Sequence, residues 1–172
     1  MNEVYGFKEE VIKKYSKTVY NLFQELFHCL PLAHLIDEQI LVVHGGLPLK
    51  DGVSLTEIEE ILRFKEPPEK SVMFDLLWSD PSPNQGHSPN PRGVSTAFGP
   101  DITHAFTKKN NLKYIIRSHE YQIEGYKLQH DEKCITIFSA PNYCEMPNQG
   151  AIIRLNKNLI PEFIKFSASP HP

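Results

Sequence analysis

An apolar strand that runs straight into charge limits the folding options of this chain more than any other feature. In "YIIRSHEYQIEGY", residues 114 to 126, the run Tyr114-Ile115-Ile116 continues into Arg117-Ser118-His119-Glu120 with no turn residue between. A buried strand ordinarily ends in turn formers, and ionisable groups at its end must be solvated, paired or bound to something. "ILVVHGG" repeats the pattern, with His44 between the apolar run and Gly45-Gly46. A histidine at the end of a rigid strand is a preorganised ligand or proton donor, and two such ends can converge. The competing reading is a hydrogen-bonded histidine with no role; the glycines weigh against it at His44, because they let a backbone or small ligand come close.

Helical spacing of Val11, Tyr15, Val19, Leu22, Phe23, Leu26, Phe27 and Leu30 predicts one long amphipathic helix from Glu9 to Leu30, closed by Pro31. Two short strands around the Asp37-Glu38-Gln39 turn follow. Ser54 and Glu57 form a capping box, opening a helix that carries Ile58, Ile61 and Leu62 and ends at Pro67-Pro68. Half of the fourteen prolines fall between Pro67 and Pro100, so residues 78 to 100 read as a long loop, ordered or flexible. A short helix is predicted over Asp101 to Asn110, then four strands at hairpin-like spacing: "LKYIIRSH", "GYKLQ", "KCITIFSAP" and "GAIIRLN". The pattern is mixed α/β, α+β-like, with a sheet largely antiparallel at its C-terminal end.

The formal net charge of −3 supplies no basic field for nucleic acid or anionic lipid, and the longest apolar runs are too short to span a bilayer. No nucleic-acid or membrane partner is therefore expected. Three cysteines without a CxxC pair argue against a disulfide framework and a cysteine-rich zinc site, and suggest reduced thiols in the cytoplasm or nucleus.

Three further candidates lie in turn-rich segments. Arg92, in "NPRGVS", suits a bidentate grip on phosphate or carboxylate, against the plain alternative of a surface arginine. Tyr143, in "SAPNYC", can hydrogen-bond a substrate oxygen or simply cover the core. Asp80, in "LLWSDP", follows a buried-looking Trp78, although "SDP" can be merely a turn. Cys144 has no basic neighbour to lower its pKa, and the other six histidines (His28, His34, His87, His104, His130, His171) read as structural or surface groups. Together His44, His119, Arg92 and Tyr143 fit a site that binds a hard anion near a metal, and Mn, Fe or Zn would suit two imidazoles plus carboxylates.

In chain order, "HGGL" (44 to 47), "LLWSDP" (76 to 81), "RGVS" (92 to 95), "RSHE" (117 to 120) and "SAPNYC" (139 to 144) resemble the later signature motifs of the phosphoprotein phosphatases, metal-dependent serine/threonine phosphatases. "RSHE", the early "YGF" and the terminal "PHP" look closest to the type-5 subgroup. The resemblance implies a metallophosphoesterase β-sandwich flanked by helices, with two divalent metal ions at one edge. It implies that His44 and His119 ligate the same metal, that Arg92 and Tyr143 contact the substrate phosphate, and that Asp80 lines the mouth.

The family's earlier motifs, GDxHG, GDYVDRG and GNHE, do not occur in the sequence. They carry the remaining metal ligands, a second phosphate-binding arginine and the general-acid histidine. The resemblance thus implies that residues 1 to 172 are the C-terminal part of one catalytic domain, with an incomplete metal site and no catalytic residue of its own. The subgroup's chaperone-binding helical-repeat domain would also lie outside it. Three expectations follow: little phosphatase activity from the isolated chain, marginal stability from an exposed sheet edge, and altered groove preferences from a loop at Glu145-Met146-Pro147 one residue shorter than the family pattern. The alternatives are a non-catalytic module that binds phosphoproteins and, remotely, an unrelated structural protein.

Overall fold

The computed structural model describes residues 1–169; His171 and the "PHP" terminus lie outside the described residues. The chain divides into two units, Met1–Pro31 with Leu62–Pro67, and Leu32–Ile61 with Pro68–Pro172.

The first unit contains two helices, α1 (Phe7–Lys14) and α2 (Lys17–Cys29), where apolar spacing predicts one. The break falls at Ser16, which is extended (φ −167°, ψ 168°) and whose hydroxyl accepts from the Val19 N–H. Serine competes with the helix for backbone donors, so it starts a new helix instead of continuing the old one. Phe7 of α1 packs on Phe23 and Phe27 of α2, ring centroids 5.3 and 5.8 Å apart.

The second unit runs β1 (Ala33–Ile36), β2 (Ile40–Val43), α3 (Leu55–Glu59), α4 (Val72–Trp78), β3 (Asp80–Pro81), β4 (His87–Pro89), β5 (Thr96–Phe98) and α5 (Pro100–Lys109). It continues with β6 (Tyr114–Arg117), β7 (Tyr126–Gln129), β8 (Cys134–Ile137), β9 (Gly150–Leu155) and β10 (Pro161–Phe166). The main sheet has the order β1-β2-β6-β8-β7. The β1–β2 hairpin turns on Asp37 and Glu38, both left-handed (φ 48° and 53°), as predicted.

The pairing differs from hairpin spacing at the centre, because β2–β6 and β6–β8 are parallel, whereas the outer pairs β1–β2 and β7–β8, and the separate β9–β10 pair, are antiparallel. Strand β8 enters between β6 and β7, so neighbours in sequence are not neighbours in the sheet. Parallel strands are covered on both faces. Leu41, Val43, Ile115 and Cys134 belong to one apolar core, and Ile40, Tyr114, Ile116 and Ile135 to the other. Period-2 alternation therefore sends Arg117 to the face of Ile115.

Further elements depart from the sequence reading. The capping box at Ser54 and Glu57 is present, yet α3 stops at Glu59, well before Pro67. Its end tightens into a three-residue turn in which the Ile61 N–H donates to Ile58 O. Helix α4, which periodicity missed, starts at Ser71, whose hydroxyl accepts from the Phe74 N–H. The proline-rich stretch is ordered as a small sheet, β3-β5-β4. Strand β10 lies beyond the four strands predicted, and it begins at Pro161, where proline is tolerated as the first residue of a strand. Among the described residues no helix is long and apolar enough to cross a membrane.

Candidate functional site

His44 follows the last residue of β2, and His119 lies two residues beyond β6. Because these strands are parallel neighbours, both loops leave the same sheet edge. The Ser118 N–H donates to His44 O (3.1 Å), and the two imidazole centroids are 4.9 Å apart. Trp78 meets His119 edge-on at 5.4 Å. Gly45 makes the approach possible: a Cβ there would lie 2.5 Å from Leu77 C and Trp78 N, and its N–H donates to Leu76 O at 2.8 Å.

Asp80 sits between two guanidinium groups. Arg92 donates through Nε to Asp80 Oδ2 (2.6 Å), and its Nη2 reaches His119 O (2.9 Å). From the opposite side the Nη2 of buried Arg117 donates to Asp80 Oδ1 (2.7 Å), and Asn90 Nδ2 adds a bond to Oδ2 (2.9 Å). Burial alone would raise the Asp80 pKa, but the bonds from Arg92 and Asn90 and the charges of Arg117 and Arg92 outweigh it and hold the carboxyl below its usual range. The group is an anion at neutral pH.

Both imidazoles are held neutral. Burial, then the charge of Arg92, lowers the His119 pKa to about 4, against a partly compensating pull from Asp80. His44 is lowered by burial and by Arg117 and Arg92. His119 Nδ1 is buried without a hydrogen-bond partner, 3.6 Å from Asp80 Oδ1. The residue also has a left-handed backbone (φ 40°), a cost that a non-glycine residue bears only where its surroundings over-determine it.

The structure thus joins four of the five predicted residues, His44, His119, Asp80 and Arg92, by direct contacts. Tyr143, half exposed on a 3₁₀ turn (Tyr143–Glu145), packs edge-on against Phe138 at 5.1 Å. Asn148 braces this loop, accepting from the Tyr143 N–H and donating to Ala140 O. Of the remaining histidines, His130 is not a surface group. It is buried between Thr103 Oγ1 (2.8 Å) and Ser82 O (2.9 Å).

Two neutral imidazoles, one with an unpartnered buried nitrogen, suit a borderline divalent cation. Yet among the described residues no group of three or more His, Cys, Asp or Glu side chains is arranged to hold a metal ion. The Asp80 carboxylate is committed to arginine. The pair therefore fits part of a metal site, short of the three protein ligands that a catalytic ion ordinarily has.

Sequence reasoning passed over Arg117 and Asn90, which fix Asp80, and Asp75, which accepts from the Leu49 N–H and the Ser95 hydroxyl beside the Arg92 loop. Arg117 carried a signal, being the last residue of an otherwise apolar strand. A groove of about 660 Å³, lined by Leu49, Val72, Phe74, Asp75, Val94 and Ser95, runs next to that loop.

A family model described as calcineurin-like phosphoesterase matches residues 2–122, which include every candidate but Tyr143. Serine/threonine-protein phosphatase 5 of Solanum lycopersicum is 53% identical over 174 residues, covering 100% of this chain and 31% of that protein. The Homo sapiens protein of the same name is 52% identical, with 100% and 35% covered. The chain thus spans about a third of the length of these relatives. A solved structure of a protein serine/threonine phosphatase from Saccharomyces cerevisiae superposes with a TM-score of 0.93 at 40% identity, over 100% of this chain and 58% of that one. The five-stranded sheet, its paired strand-end histidines and this family match lead to one conclusion: the chain belongs to the calcineurin-like phosphoesterases.

Proposed function

We propose that the chain is the C-terminal part of the catalytic domain of a protein serine/threonine phosphatase, and that its site serves hydrolysis of phosphoserine and phosphothreonine in phosphoproteins. The observation that carries this reading is the convergence of His44 and His119, ring centroids 4.9 Å apart, beside the Arg92 guanidinium. The names of the relatives support it.

In this reading His44 and His119 are two ligands of a divalent ion, Mn, Fe or Zn, whose other ligands come from segments this sequence lacks. When bound, two such ions supply the Lewis acidity for phosphoester hydrolysis. The chain's own groups do the rest of the binding. Arg92 grips the equatorial phosphate oxygens, Asp80 holds that guanidinium in place, and Tyr143 offers its hydroxyl from the rim. The groove beside Gly93-Val94-Ser95 takes the peptide flanking the phosphorylated residue. Three cysteines without a disulfide framework suit a reducing compartment, cytoplasm or nucleus. Chaperone binding, where it occurs, belongs to a separate helical-repeat domain.

The test is a chimera that joins the preceding catalytic segment of the tomato or human relative to this chain. It should hydrolyse a phosphothreonine peptide with Mn, and His119→Ala should abolish turnover. A folded but inactive chimera would refute the reading. The incomplete ligand set favours one competitor, a non-catalytic module that holds phosphoproteins through Arg92. Tight metal-independent phosphopeptide binding by the chain alone, lost in Arg92→Ala, would establish that instead.

A further inference from the structure

Arg117 is the largest fully buried side chain, and a guanidinium cannot shed its charge to suit such a place. All five of its N–H donors are used. Nε donates to Gly45 O (2.6 Å), Nη1 to Glu120 Oε2 (2.6 Å) and Thr136 Oγ1 (3.5 Å), and Nη2 to Asp80 Oδ1 (2.7 Å) and Ser79 O (3.4 Å). These acceptors come from four separate segments: the loop after β2, the α4–β3 junction, the loop after β6, and β8. Gly45 adjoins His44, Glu120 adjoins His119, and Asp80 is the carboxylate that holds Arg92.

We infer that Arg117 is the positioning residue of the site, fixing the His44 loop, the His119 loop and the Asp80–Arg92 pair in one geometry through a single planar fork. A buried ion pair is weak evidence for stability, since well-packed apolar residues commonly do as well. Its use here is registry. The five donor directions are set by the plane of the guanidinium, so three loops joined to one another by only single backbone bonds, Ser118 N–H to His44 O and Gly45 N–H to Leu76 O, are placed at once. A lysine, with one point charge and three donors, cannot span the same acceptors. The Ser118 N–H to His44 O bond closes the same junction, but one bond between two loops leaves their twist free.

The inference rests on the proposed reading only for its meaning in catalysis. Its test reads geometry in the 172-residue chain itself, without metal or substrate, so an inactive chimera and a misplaced clamp are distinguishable. The readouts are the nuclear Overhauser cross-peak between the His44 and His119 rings and the hydrogen exchange of the Ser118 amide. In Arg117→Lys the cross-peak should weaken several-fold and Ser118 exchange should quicken about tenfold, while the Ile115 and Ile135 amides and the Phe98–His130 ring contact stay unchanged. A purely structural arginine would move all of these together. Should Arg117→Lys also lose the Phe98–His130 contact, Glu120→Ala, which removes the most exposed acceptor, decides by the same two readouts. In a folded variant, an unaltered cross-peak together with unaltered Ser118 exchange overturns the assignment.

Discussion

Arg92 reaches Asp80, Nε to Oδ2 at 2.6 Å, and so ties a loop tip to the first residue of β3. The same carboxylate faces Arg117, whose side chain is fully buried. Asp80→Asn keeps the shape and removes the charge. Stripping one partner from a buried pair costs about 3–5 kcal/mol, and Glu120 retains part of the compensation, so a loss of about 2–3 kcal/mol is expected. The urea midpoint measures it; an unchanged midpoint would show that the pairing contributes nothing.

Gly45→Ala tests whether the histidine loop needs its glycine. The added methyl would meet Leu77 C and Trp78 N at 2.5 Å, and both are backbone atoms that cannot swing aside. Overpacking of this kind costs about 1–3 kcal/mol, and the upper end is expected here. Thermal unfolding reads it, and a melting temperature equal to wild type would count against the close approach.

Acid should destabilise the fold through its buried histidines. The ordinary value of 6.5 falls to about 4 at His119 and is also lowered at His130, in both cases chiefly by burial. In that interval the unfolded chain binds protons that the folded chain refuses. Stability is thus fully present above pH 6.5 and is lost as pH falls towards the folded values. Urea midpoints from about pH 7 to about pH 5 should decline, and His130→Gln should flatten the decline. A flat profile in wild type would contradict the buried, neutral histidines.

The three thiols should separate by reactivity. Cys29 and Cys144 are exposed, whereas Cys134 is buried in β8 and burial pushes its thiol up to about 12. Thiolate is the reactive form, so a disulfide reagent at neutral pH should modify two residues rapidly and the third only after denaturant is added. Three fast thiols would show that β8 opens readily.

Phosphopeptide binding or turnover in the chimera should fall about a hundredfold in Arg92→Lys, since an ammonium cannot reproduce a bidentate grip on phosphate while still holding Asp80. The effect should appear in KM as well as kcat.

Local chemistry was legible from the chain. The Asp37-Glu38 hairpin, the Ser54 capping box, the helix beginning near Asp101 and the strand-end placement of His44 and His119 each depend on residues close in sequence, where turn preference, capping and period-2 alternation act directly. The same locality explains two misses, because Ser16 and Ser71 carried helix-start signals that apolar periodicity obscured. Five short motifs in order were enough to indicate the family.

What residues 33 to 43 and 114 to 137 could not reveal is that β8 slips between β6 and β7, making the centre of the sheet parallel. That choice is made by burying Leu41, Ile115 and Cys134 on one face and Ile40, Ile116 and Ile135 on the other, a preference no single strand expresses. Only then do both histidine loops leave one edge and Arg117, 72 residues from Gly45, become their common partner. Amino-acid order determined the elements and the reactive groups they carry. Tertiary packing decided which groups meet, because long-range pairing is a property of the filled core and not of any local stretch.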